Sequence, residues 1–156
     1  EKLFIMKVDD GSVVRSFKTE FETNGPFETN GHVLSITALH PNLFLTGHEN
    51  GSIQEWKSIS DNCVHTFKGH ELWVNSIAKV DDSHFISGSG DRTFKLWNFL
   101  SKDCIRTFSG HTNGIAAVIY MPTRNTFLTG SGDKNIKVWS LNGFISDVVI
   151  GENTTS

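Results

Sequence analysis

The 156 residues are 37% hydrophobic and 20% charged, with a net charge of −3, the composition of an ordinary globular domain. That balance supplies no basic field for nucleic acid or anionic lipid, and no apolar run approaches the roughly 20 residues needed to cross a bilayer. Two cysteines and no visible secretory signal predict a reducing compartment, cytoplasmic or nuclear.

From the N-terminus, residues 1–17 read as the last two strands of a unit whose first half is missing. The run Ser12-Val13-Val14-Arg15-Ser16-Phe17 matches two later runs, Cys63 to Phe67 and Cys104 to Phe108. Residues 18–31 form an inserted loop with a tandem duplication, Phe21-Glu22-Thr23-Asn24-Gly25 and Phe27-Glu28-Thr29-Asn30-Gly31. Three full units follow at 32–68, 69–109 and 110–151, then a tail at 152–156. A chain that starts inside a unit, at Glu rather than Met, reads as an excerpt of a longer one.

The units share a cassette. Gly31-His32, Gly69-His70 and Gly110-His111 each precede a Trp, at Trp56, Trp97 and Trp139, and the Trp steps are 41 and 42 residues. Between them stand Thr46 and Asn50, Ser87 and Asp91, Thr129 and Asp133, at equal offsets from each Trp. A period near 40 marks a repeat architecture. Each unit divides into four short strands rich in β-branched and aromatic residues, with turn chemistry between them, as at Gly90-Asp91-Arg92. Phe94 and Leu96 alternate with Lys95 and Trp97, the period of a strand packed on both faces. The prediction is all-β, built of four-stranded antiparallel sheets.

This combination of Gly-His, Ser/Thr, Asp and Trp resembles the WD40-repeat family over residues 2–151, although Trp56, Trp97 and Trp139 are followed by Lys57, Asn98 and Ser140 instead of the family's Asp. The resemblance implies blades of a β-propeller, here an incomplete part of a ring that usually has seven blades. It also implies a hydrogen-bonded structural tetrad in each blade. These are His32, Thr46, Asn50 and Trp56, then His70, Ser87, Asp91 and Trp97, then His111, Thr129, Asp133 and Trp139. Asn50 replaces the acid in the first, which predicts a weaker network there.

Repetition of a His-Asp-Ser/Thr set in successive units points to a structural staple and away from a catalytic triad, so the chain is expected to be no enzyme. His40, His48, His65 and His84 stand alone without metal-ligand spacing, and neither metal nor cofactor is expected. Cys63 and Cys104 hold one repeat position on different blades, too far apart for a disulfide.

The resemblance implies a protein or peptide ligand on the face where the strand-joining loops crowd the channel; the acidic balance and the lack of a long apolar run predict no nucleic acid and no membrane as partners. Contact candidates flank the first apolar residue of each inner strand, placed by spacing at Ile36, Val74 and Ile115. They are Ser35 and Thr37, Trp73 and Asn75, Gly114 and Ala116. The residues before the tetrad acid join them: Glu49, Gly90 and Gly132. Trp73 is the foremost, as an aromatic outside the tetrads. Phe21 and Phe27 are further anchors if the insert is a binding flap. Glu20, Glu22, Glu28 and Glu49 would suit a basic partner segment. The bare end blades also call for the rest of the propeller, from the same chain or a second copy. The fitting function is a protein-interaction scaffold; the alternative is a targeting propeller of a larger enzyme, such as a kinase or a ubiquitin ligase receptor.

Overall fold

The computed structural model describes residues 2–6, 12–18, 31–59 and 63–148. Strands β1 (Lys2–Met6) and β2 (Val13–Lys18) pair antiparallel. Three four-stranded antiparallel sheets follow, each a meander. The first holds β3 (Val33–His40), β4 (Leu43–His48), β5 (Ile53–Lys57) and β6 (Cys63–Phe67). The second holds β7 (Val74–Lys79), β8 (His84–Ser89), β9 (Thr93–Asn98) and β10 (Asp103–Ser109). The third holds β11 (Ile115–Met121), β12 (Thr126–Ser131), β13 (Ile136–Ser140) and β14 (Gly143–Val148). A single turn of 3₁₀ helix, Pro122–Arg124, joins β11 to β12.

Strand alternation explains how the sheets stack. In β9, Trp97 faces the first sheet and Phe94 and Leu96 face the third, so the strand is buried on both sides. One core cluster lies between the first two sheets, with Leu45, Ile53 and Phe67 against Val74, Phe85 and Trp97. Phe67 meets Phe85 edge-on at 5.1 Å, and Trp97 stacks on Phe85 at 5.9 Å. The second cluster sets Ile86, Phe94 and Phe108 against Ile115, Phe127 and Trp139, with Phe94 stacked on Phe108 at 4.3 Å. Such aromatic pairs add about 1 kcal/mol each beyond the area they bury.

The innermost strands touch in sequence, β3 against β7 and β7 against β11, so the sheets fan like blades about a shared axis. The core is thus made between sheets, not within one. Cys63 and Cys104 are free thiols on β6 and β10.

Candidate binding face

In the second blade a chain of hydrogen bonds runs from core to surface. The Trp97 indole N–H donates to Ser87 Oγ at 2.8 Å, Ser87 meets His70 Nε2 at 2.8 Å, and His70 Nδ1 meets Asp91 Oδ2 at 2.7 Å. Trp only donates and an ionised Asp only accepts, so the directions follow: the Ser87 hydroxyl donates to Nε2 and the Nδ1–H donates to the carboxylate. The third blade repeats this through Trp139, Thr129, His111 and Asp133, each step at 2.7 Å. Asp91 also accepts from the backbone N–H groups of Glu71 and Thr93 and from the Thr93 hydroxyl at 2.6 Å. Asp133 accepts from the N–H groups of Thr112 and Asn135. Each acid therefore pins both loops that meet on one face of its blade.

The first blade departs from the expected set. The Trp56 indole donates to Thr46 at 2.9 Å, but the imidazole that meets Thr46 is His48, at 2.8 Å, fully buried. His32 is exposed and belongs elsewhere. Pairing of Ile36 with Thr46 and of Val33 with His48 puts Val33, not Ile36, at the place of Val74 and Ile115. His32 thereby holds the Trp73 place, and the backbone agrees. Glu49 N–H donates to His32 O at 3.0 Å, Gly90 N–H to Trp73 O at 2.9 Å, and Gly132 N–H to Gly114 O at 3.0 Å. The imidazole comes instead from the position of Ser89, two residues beyond the tetrad hydroxyl on the same strand face. Asn50, expected in the acid's place, accepts from the Ser52 N–H and hydroxyl at 3.0 and 2.7 Å and shapes the turn.

Three expected partner contacts have their polar groups turned toward the next blade. Ser35 donates to Val74 O at 3.1 Å, Thr37 to Ile77 O at 2.5 Å, and Asn75 to Ile115 O at 2.9 Å. A fanned stack leaves inner-strand carbonyls unpaired between sheets, and these side chains satisfy them. All three are half-buried, and these bonds make them inter-blade ties. Phe21 and Phe27 lie outside the described residues.

What the face does present is Trp73. It is 43% exposed, and its indole packs against Gly90: a methyl group there would fall 2.3 Å from Cε2. Gly114 of the third blade abuts Gly90 in turn: a methyl group on Gly114 would fall 3.1 Å from the Gly90 Cα. Leu72 beside Trp73 is exposed, as are Leu34 and His32 on the first blade and Glu49 beside them, whose carboxylate accepts from the His32 N–H at 3.4 Å. Gly51, at φ +84°, brings the first blade's turn against the His70 and Leu72 carbonyls, where a side chain has no room. Aromatic, aliphatic and acidic groups therefore share one surface, resting on glycines and on backbone held by the staples.

The register had one legible signal. His70 precedes Ser87 by 17 residues and His111 precedes Thr129 by 18, whereas His32 precedes Thr46 by only 14. A three-residue deficit leaves no room for the loop that carries the imidazole.

A family model described as WD domain, G-beta repeat, matches residues 61–98 and 102–140. No curated protein matches the chain significantly. The solved structure titled the WD40 beta propeller domain of Doa1 superposes with a TM-score of 0.74 at 26% identity, over 89% of this chain and 45% of that one. The chain thus spans under half the length of that propeller, in accord with three blades and two further strands. Together with the staples of the second and third blades, these matches establish that the chain belongs to the WD40-repeat β-propeller family.

Proposed function

We propose that this propeller segment is a non-catalytic scaffold that binds a protein or peptide on the face carrying Trp73. The observation that supports the reading is Trp73 itself, 43% exposed with its indole packed on Gly90, outside every staple. Exposed Trp side chains on rigid supports anchor interfaces more than other residue types. The Ser-His-Asp and Thr-His-Asp sets speak for support and against chemistry. Ser87 and Thr129 are buried, and each hydroxyl already accepts a Trp N–H, so no substrate carbonyl reaches them.

The test compares the full-length protein with its Trp73→Ala variant by quantitative affinity capture. Proteins captured by the parent should be depleted at least tenfold from the variant, while its melting temperature changes little. An unchanged set of captured proteins, or a melting loss as large as that of Asp91→Ala, refutes the reading.

A further inference from the structure

We propose that Asn113 is a spontaneous modification site, deamidating through Gly114 to aspartate and isoaspartate. The chain contains five Asn-Gly pairs; those at 24–25 and 30–31 have their Asn outside the described residues, leaving Asn50, Asn113 and Asn142 to compare. Asn-Gly is the dipeptide most open to this reaction, because glycine puts no side chain between its backbone nitrogen and the Asn carboxamide. The fold treats the three pairs differently.

At Asn113 the reacting groups are already together. The Gly114 N–H donates to Asn113 Oδ1 at 2.7 Å, which sets the nucleophilic nitrogen beside the side-chain carbonyl and polarises that carbonyl. Gly114 precedes the first ladder pair, Ile115 with Ser131, so its nitrogen carries no strand pairing. Asn113 itself is exposed to water. At Asn50 the carbonyl is turned away, accepting from Ser52, and the Gly51 N–H is committed to His48 O at 3.2 Å. At Asn142 the following Gly143 opens β14 in register with Ser140, and among the described residues no hydrogen bond joins its N–H to the Asn142 side chain.

The reaction balances with water as its one co-reactant. The Gly114 nitrogen loses its proton to solvent base and attacks Asn113 Cγ. The new N–Cγ bond closes a succinimide, and the Cγ–Nδ2 bond breaks as ammonia leaves with that proton. Water then opens either ring carbonyl, giving aspartate or isoaspartate.

The location makes the product consequential. Asn113 lies against Gly132, and its backbone O accepts from the Ser131 hydroxyl at 2.9 Å. Gly114 O accepts from Gly132, and Gly114 abuts Gly90, the support of Trp73. Isoaspartate inserts a methylene into the main chain between residues 113 and 114, and both products add a negative charge to this face. The chemistry holds whatever the face binds.

The test incubates the full chain, folded, in mildly alkaline heavy-oxygen water and maps peptides by mass spectrometry, with a urea-unfolded sample beside it. In the folded chain Asn113 should incorporate label several-fold faster than Asn50 and Asn142. In urea the three should converge, since only local sequence then acts. The Asn113→Gln variant should lose the fast site and keep the slow ones. A folded chain in which Asn50 or Asn142 reacts as fast as Asn113 overturns the proposal, as does a rank order that survives unfolding unchanged.

Discussion

Asp91 and Asp133 each answer a local conflict. Burial by itself raises a carboxyl's pKa. At Asp91 that effect is outweighed by hydrogen bonds from His70 and Thr93, which hold the group well below its ordinary 3.8. At Asp133 burial is likewise outweighed, by the Thr112 N–H, His111 and the Asn135 N–H. A carboxyl whose folded pKa is depressed contributes stability that is complete above the unfolded value and lost as pH falls through the folded one. Stability should therefore hold down to about pH 4 and decline below it. Urea midpoints measured across the acid range should show that decline, flattened in the Asp91→Asn, Asp133→Asn double variant; an equally steep profile there would assign acid sensitivity to other groups. At neutral pH, Asp91→Ala should cost about 3 kcal/mol, since it strands the His70 and Thr93 donors under a loop. Gly90 gives a complementary case. Gly90→Ala displaces the Trp73 ring by steric contact alone, so it should shift Trp73 fluorescence, isolated by difference against the Trp73→Ala variant, while leaving the staples intact.

At the level of strands and turns, the first blade carries a charge where its neighbours carry aliphatic side chains. Glu55 stands at the place of Leu96 and Val138, and is 4% exposed. Lys102, from the β9–β10 turn of the next blade, forms an ion pair with it, and its ammonium lies 5.6 and 5.9 Å from the Phe67 and Phe99 ring centroids. Lys102→Ala leaves that carboxylate buried and unpaired, and should cost about 3 kcal/mol, whereas the Glu55→Leu, Lys102→Met double variant should lie within about 1 kcal/mol of the parent. Denaturant midpoints of the four species close the cycle; additive losses would mean that the pair is not coupled. Gln54 on the same strand is fully buried, and among the described residues its amide has no hydrogen-bond partner. Gln54→Leu should accordingly raise stability by about 1 kcal/mol in the same assay. Neither feature was legible beforehand. A Glu or Gln in a strand reads as solvent-facing until the next blade is known to cover it, and the partner of Glu55 lies 47 residues away. The staples of the second and third blades were legible because their residues recur at fixed offsets. The first was misread because Gly31-His32 imitates a motif whose imidazole His48 in fact supplies. The inter-blade bonds of Ser35, Thr37 and Asn75 were hidden for a related reason: spacing places a residue on a strand but does not say whether a neighbour's carbonyl waits beside it.

Over the whole described structure, burial at equivalent positions depends on whether another blade follows. Ala78 and Val80 pack against the second core cluster, and Ile86, Phe94 and Leu96 are buried in it. Their counterparts on the third blade are Ile119 and Met121, 54% and 38% exposed, and Leu128, Ile136 and Val138, all half-buried. At the other end Ile36 is 58% exposed, whereas Ile77 and Val118 at the same place are 7% and 4% exposed. The same sequence pattern thus yields core or bare surface according to context, and a blade pattern by itself specifies only a two-sided sheet. Contiguous apolar faces of this kind drive association. Residues 1–156 expressed alone should accordingly exceed their monomer mass of 17.4 kDa in light scattering, with the mass rising with concentration. Replacing Ile119 and Met121 together by Glu should bring the mass back toward the monomer without altering the staples, whose residues lie on the opposite face of the third blade. An association that survives those two charges would place the sticky surface elsewhere, with the face around Ile36 next to be tested.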